Sequence, residues 1–158
     1  MLRSPVSFSW SSPEATEAFA RALAPRLDAG DVIELEGGIG AGKTHFARAL
    51  ILARLAAPED IPSPTFTLVQ TYDCADGIEI WHADLYRLSH PDEAIELGFD
   101  EAFENAICLI EWPDRLADLR PTSALRLKLE ASDAAGERLA VATWRDPRWA
   151  KKLEGLLP

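Results

Sequence analysis

Cysteine is scarce, with two residues in 158, Cys74 and Cys108, and they do not form a metal-spaced pair. That excludes a disulfide scaffold, and no His/Cys set with zinc spacing exists. Cys108 falls inside the apolar run AICLI and reads as a small core residue. Long hydrophobic runs are also missing: none approaches the roughly 18–20 residues of a membrane span. The N-terminus lacks a basic segment followed by an apolar one, so no secretory signal is expected and the chain is assigned to a reducing cytoplasm. Positive charge is the third deficit. Sixteen Lys plus Arg against 26 Asp plus Glu leave a net charge of −10, which repels phosphate backbones. Broad binding to DNA or RNA by the chain alone is therefore not expected, although a local basic patch or an adaptor protein would still allow contact with RNA. What is present, 47% hydrophobic and 27% charged residues, has the profile of a globular protein, and the length suits one domain spanning residues 1–158.

The pattern along the chain is that of an α/β fold. Residues 5–9 read as a strand with Val6 and Phe8 on one face. Ser12 followed by Pro13 starts a helix whose stripe runs through Ala15, Phe19, Ala22, Leu23 and Leu27 and stops near Gly30. Residues 31–36 read as a strand, and 43–57 as a helix with Phe46, Leu50 and Ala53 on one face. Pro58, Pro62 and Pro64 make 58–66 a loop. Strands at 67–73 and 78–83 flank the turn residues Ala75, Asp76 and Gly77. A short helix over 91–97 ends at Gly98, with Ser89 and Asp92 at capping-box spacing. The run 106–111 reads as a strand buried on both faces. Alternation at 125–129 and 138–143 gives a hairpin, and a last helix covers about 147–156.

The informative stretch is Gly37-Gly38-Ile39-Gly40-Ala41-Gly42-Lys43-Thr44, which matches GxxxxGK[ST]. Glycines let the backbone wrap a polyphosphate, and amides at a helix N-terminus supply positive potential. Lys43 would reach the β- and γ-phosphates and the Thr44 hydroxyl would bind Mg²⁺. The stretch follows an apolar strand and opens a helix, the context that distinguishes a phosphate loop from a glycine-rich turn. An acidic residue at the end of a second buried strand should handle the metal and the attacking group. Glu111 fits best, its alternative being a solvated strand-end carboxylate. Asp84 is the other candidate, sharing a strand face with His82 unless the two are a surface pair. A GTPase is excluded, because the one asparagine, Asn105, is followed by Ala-Ile-Cys rather than completing NKxD, and Asp133-Ala-Ala-Gly136 meets DxxG only formally. Residues 88–114 hold no Lys or Arg, unlike the arginine-rich lid of small kinases, and suit a protein partner or solvation better. A small-metabolite kinase remains the alternative enzyme, and a nucleotide-binding module without hydrolysis the alternative non-enzyme.

GGIGAGKTHFAR, SPTFTLVQTY at 63–72, HADLYRL at 82–88, Glu96-Leu97-Gly98 and LIEWPDR at 109–115 occur in the order seen in one family. Together they resemble the TsaE (YjeE) family of bacterial P-loop ATPases over about residues 12–115. The resemblance implies a three-layer α/β/α P-loop NTPase-like fold with a mixed, mainly parallel sheet and a C-terminal hairpin plus helix. It implies an ATP- and Mg²⁺-dependent accessory to threonylcarbamoyladenosine formation at adenosine 37 of ANN-decoding tRNAs. Hydrolysis would reset the TsaD–TsaB transferase pair between turnovers, and tRNA would be met through that complex. Gly38, Ile39, Gly40, Ala41, Gly42, Lys43 and Thr44 would hold the phosphates, and Thr44 and Glu111 the Mg²⁺. The loop with Thr65 and Thr67 would act as a switch. Asp84 would serve catalysis through the water or magnesium shell, and Trp112 would adjoin the nucleotide unless it is core packing. Thr16 and Arg138 would approach the nucleotide, and His45 follows the cradle where the family often has a hydroxyl residue. Arg87 is the nearest candidate arginine finger. Gly38 departs from the Asp common in the family, which should leave the cradle more mobile without abolishing ATP binding. Finally, Arg145, Arg148, Lys151 and Lys152 with Trp144 and Trp149 form the one dense basic-aromatic cluster, either a helix with cations near its end or an RNA contact.

Overall fold

The computed structural model describes residues 2–57, 59–62 and 68–157. Seven strands form one sheet: β1 (Val6–Trp10), β2 (Val32–Glu36), β3 (Val69–Asp73), β4 (Glu79–Asp84), β5 (Ile107–Glu111), β6 (Leu125–Ala131) and β7 (Arg138–Thr143), in the order β1-β7-β6-β2-β5-β4-β3. The inner pairings β6–β2, β2–β5 and β5–β4 are parallel. The outer ones are antiparallel, with the β3–β4 and β6–β7 hairpins at the expected places and β1 added to β7. The sheet is thus parallel where it is buried and antiparallel toward its edges, as a layered α/β fold requires.

Strand alternation divides the core. Ile33, Leu35, Leu109 and Leu127 face helices α1 (Pro13–Leu23) and α2 (Lys43–Arg54). Val32, Cys108 and Ile110 face the opposite layer, which includes α3 (Asp92–Glu96) and α4 (Phe99–Asn105). Every residue of β5 is buried, so its neighbours shield both faces of the strand that ends in Glu111. Between α1 and α2, Trp10, Phe19 and Phe46 pack in ring contact.

Several boundaries differ from the sequence reading for local reasons. The α1 cap is as expected, the Ala15 amide donating to Ser12 Oγ at 3.1 Å, but Ala20 rather than Ala22 completes the buried stripe. Helix α2 stops at Arg54 because Leu55 turns extended and bridges to Cys74 at the β3–β4 hairpin, and Ala53 stays exposed. β3 begins at Val69, after Leu68 takes a left-handed φ of 62°. The Ser89 hydroxyl bonds to Glu93, not Asp92, and the same Glu93 carboxylate accepts the His90 amide at 3.1 Å. Helix α4 was not anticipated; its sequence, FDEAFEN, is too short to show a period beyond two turns. The last helix, α5 (Arg148–Lys152), is shorter than the expected 147–156, and Gly155 beyond it is left-handed with φ 81°. Among the described residues no helix is long and apolar enough to cross a membrane.

Candidate functional site

β2 delivers the chain into the glycine-rich loop, and Lys43 opens α2 directly behind it. Gly42 caps that helix with φ 102°, a conformation open to glycine at little cost. At Gly37, with φ 145°, an added Cβ would lie 2.4 Å from the Leu129 carbonyl oxygen, so only hydrogen fits. The Lys43 ammonium curls into the loop, donating to the carbonyls of Gly37 at 2.5 Å and Gly38 at 2.9 Å, and sits 4.3 Å from the Trp112 ring centroid. Burial pulls its pKa below the usual lysine range, while Glu111 and Asp84 oppose that shift.

Parallel pairing of β4 with β5 puts Asp84 opposite Glu111 at the carboxyl ends of both strands. Open α/β sheets bind ligands at this end. Glu111 is buried and accepts the Thr44 hydroxyl on Oε1 at 2.8 Å. Its Oε2 lies 2.7 Å from Nε2 of His82, which is fully buried. Asp84 accepts the Tyr86 amide at 3.1 Å. Burial and then the Glu111 charge push its carboxyl up, against the pull of that amide, His82 and Lys43. Both expected acids therefore line the cleft beside the glycine loop, and Glu111 is no solvated strand end.

A cleft of about 440 Å³ opens over these groups, lined by residues 39–45 with Asp84, Tyr86, Arg87, Glu111, Trp112 and Arg138. Trp112 takes a left-handed φ of 58° at the end of β5 and packs on Tyr86 with centroids 4.8 Å apart. Arg138 comes from the β6–β7 hairpin and braces the loop from outside, donating to the carbonyls of Ala41 at 3.0 Å and Gly40 at 3.3 Å. A second hollow of about 230 Å³ joins Thr16, His45 and Arg138 with Trp10 and Leu129 on the α1 side of the loop. His45 Nε2 lies 3.1 Å from the Pro13 carbonyl, and Thr16 is buried with its hydroxyl on the Ser12 carbonyl at 3.4 Å. Ile39, at the edge of the cleft, is 85% exposed. Thr65 and Thr67 lie outside the described residues.

Two features were not read from sequence. Arg120 forks onto the fully buried Glu34 and also reaches Glu36, tying the segment after Trp112 to the strand that enters the loop. Two of the four cations in the basic cluster near the C-terminus, Arg148 and Lys152, pair with acids of the protein itself. Arg148 pairs with Asp31 at 3.0 Å and Asp146 at 3.2 Å, and Lys152 pairs with Asp28 at 2.9 Å and with Asp31. The cations there clamp α5 to residues 28–31.

Sheet order, glycine loop and strand-end acids together define a P-loop NTPase-like α/β protein. A family model described as "Threonylcarbamoyl adenosine biosynthesis protein TsaE" matches residues 10–140. The chain belongs to the TsaE family. The Rickettsia conorii protein named tRNA threonylcarbamoyladenosine biosynthesis protein TsaE is 42% identical over 123 residues, covering 78% of this chain and 70% of that protein. Its Bacillus subtilis namesake is 36% identical over 121 residues, covering 75% and 73% respectively. The crystal structure of Bacillus subtilis YdiB superposes with a TM-score of 0.78 and 30% identity, over 99% of this chain and 96% of that one.

Proposed function

We propose that this chain, as one domain, binds and hydrolyses Mg²⁺–ATP in the cytoplasm, and that hydrolysis resets a TsaD–TsaB transferase pair forming threonylcarbamoyladenosine in tRNA. The observation that carries the proposal is the link from Thr44 at the start of α2 to Glu111 at the end of β5, beneath the glycine loop. It joins a hydroxyl and a carboxylate, hard oxygen donors suited to Mg²⁺. When bound, Mg²⁺ neutralises charge on the β- and γ-phosphate oxygens.

The residues then take distinct parts. Loop amides and the α2 N-terminus bind phosphate oxygens. Lys43 exchanges its two loop carbonyls for phosphate, with Trp112 shielding the ammonium. Asp84, whose carboxyl burial pushes up, holds the attacking water and takes its proton. Thr16, His45 and Arg138 border the base and ribose, and Arg87 at the rim stabilises charge during transfer. Thr65, which lies outside the described residues, would serve as the switch near the γ-phosphate. The chain's charge of −10 fits a protein that meets tRNA through partners.

The test is threonylcarbamoyladenosine formation counted per TsaD–TsaB complex, with tRNA, threonylcarbamoyl-adenylate and ATP. It is run without this chain, with it, and with Lys43→Ala. Product beyond one turnover only with the wild type supports the proposal. Equal multiple turnovers in all three runs overturn it, and ADP release dependent on a small acceptor would then point to a kinase.

A further inference from the structure

His82 is fully buried, yet its imidazole has only one use among the described residues. Nε2 lies 2.7 Å from Glu111 Oε2, and Nδ1 has no partner. A position that needed only packing would be filled at lower cost by an apolar side chain, because an unpaired polar atom in the interior is unfavourable. The geometry of the strands explains the exception. His82 stands opposite Leu109 in the β4–β5 register, and Asp84, two residues on, stands opposite Glu111. Two-residue spacing keeps His82 and Asp84 on one face, so the imidazole reaches diagonally along β5 to the carboxylate its neighbour Asp84 directly faces.

From this we infer that His82 is a positioning residue for Glu111, holding Oε2 so that Oε1 stays aimed at Thr44 and the magnesium position. A carboxylate oxygen only accepts, so the imidazole carries its shared proton on Nε2 and donates it. With Oε2 engaged, the carboxylate cannot rotate both oxygens toward the cleft, and Glu111 offers one oxygen on the side of Thr44. Partners of this kind orient metal ligands, and their loss typically costs about 10–100-fold in metal affinity or activity. The inference rests on the proposed Mg²⁺–nucleotide site.

The experiment titrates Mg²⁺ against binding of the fluorescent nucleotide mant-ADP in the wild type, His82→Leu and His82→Gln, each checked for folding by circular dichroism. Without Mg²⁺ all three should bind mant-ADP alike. The Mg²⁺ concentration for half-maximal tightening should rise about tenfold or more in His82→Leu. It should return toward wild type in His82→Gln, whose amide supplies a donor where Nε2 was. Folded His82→Leu with a wild-type Mg²⁺ response overturns the inference and leaves the site proposal standing. A wild type whose mant-ADP binding ignores Mg²⁺ overturns both. If His82→Leu does not fold, ¹⁵N NMR of the labelled wild-type imidazole decides: a proton on Nε2 at neutral pH is expected, and a bare Nε2 overturns the inference.

Discussion

Removing the Arg120 guanidinium takes the nearer of two cations from a carboxylate that the sheet has taken out of water. Glu34 is fully buried on β2, three residues before Gly37, and Arg120 approaches it through Nε at 3.2 Å and Nη2 at 2.7 Å. Breaking a buried pair by deleting one partner costs about 3–5 kcal/mol when the other charge is left alone. Glu34 is not left alone in Arg120→Ala, since Arg126 lies 3.1 Å from Oε1, and Arg120 itself is 20% exposed. The expected loss is therefore smaller, about 2–3 kcal/mol. For a chain of this length that lowers Tm by roughly 4–12 °C. Thermal unfolding followed by circular dichroism reads the change. Because the cause is an under-compensated buried charge rather than lost packing, Arg120→Met combined with Glu34→Leu should recover most of the loss. An Arg120→Ala protein that melts within about 2 °C of wild type would refute the reasoning. So would a double variant no more stable than the single one.

The loop glycines separate by what surrounds them. Gly37→Ala forces a Cβ against the Leu129 carbonyl and should cost about 3 kcal/mol or more in thermal unfolding, whereas Gly38→Ala, with nothing within 4 Å of its added Cβ, should melt with the wild type. For the same reason Gly38→Asp should fold normally. The α5 clamp is acid-sensitive: Lys152 holds Asp28, and the Arg148 amide and side chain hold Asp146, below the usual carboxylate range. A lowered folded-state pKa gives stability present above the ordinary value of 3.8 and lost as pH falls below it. Fluorescence of the buried Trp149 should report loosening of α5 below about pH 4 but not between pH 5 and 7. Cys108, whose thiol burial pushes up to about 12, should resist iodoacetamide at pH 8 until urea is added.

The glycine loop, its strand and its helix were legible because they are local: three positive-φ glycines and a lysine within eight residues leave few alternatives. The two hairpins were legible for the same reason, as alternation either side of turn residues. Pairing across the sheet was not. Nothing in LIEWPDR or HADLYRL taken singly says that Asp84 and Glu111 come into register, or that His82 spends its imidazole on Glu111. Strand-end position marks Glu111 and Asp84 as candidate acids and the order of the family's motifs agrees, while His82 reads from sequence only as half of a weak pair. The Arg120–Glu34 tie spans 86 residues of sequence, and nothing local names the partner. The only hint was an acid at the centre of the apolar strand VIELE, which needed a cation from somewhere. The basic run near the C-terminus reads as a helix with cations near its end, which the structure has, but the partners of Arg148 and Lys152, Asp31 and Asp28, lie more than a hundred residues upstream and have no local signature.

Every role proposed for the site requires the cleft between the glycine loop and the β4–β5 ends to be a magnesium-dependent ATP site. Calorimetric titration of the purified chain with ATP tests it most directly, with and without Mg²⁺, in the wild type, Lys43→Ala and Glu111→Ala. Binding at one site per chain is predicted, tightened by Mg²⁺ in the wild type, weakened at least about tenfold (1.4 kcal/mol) in Lys43→Ala, and no longer tightened by Mg²⁺ in Glu111→Ala. Binding that is the same in all three proteins would place the nucleotide elsewhere and contradict the account.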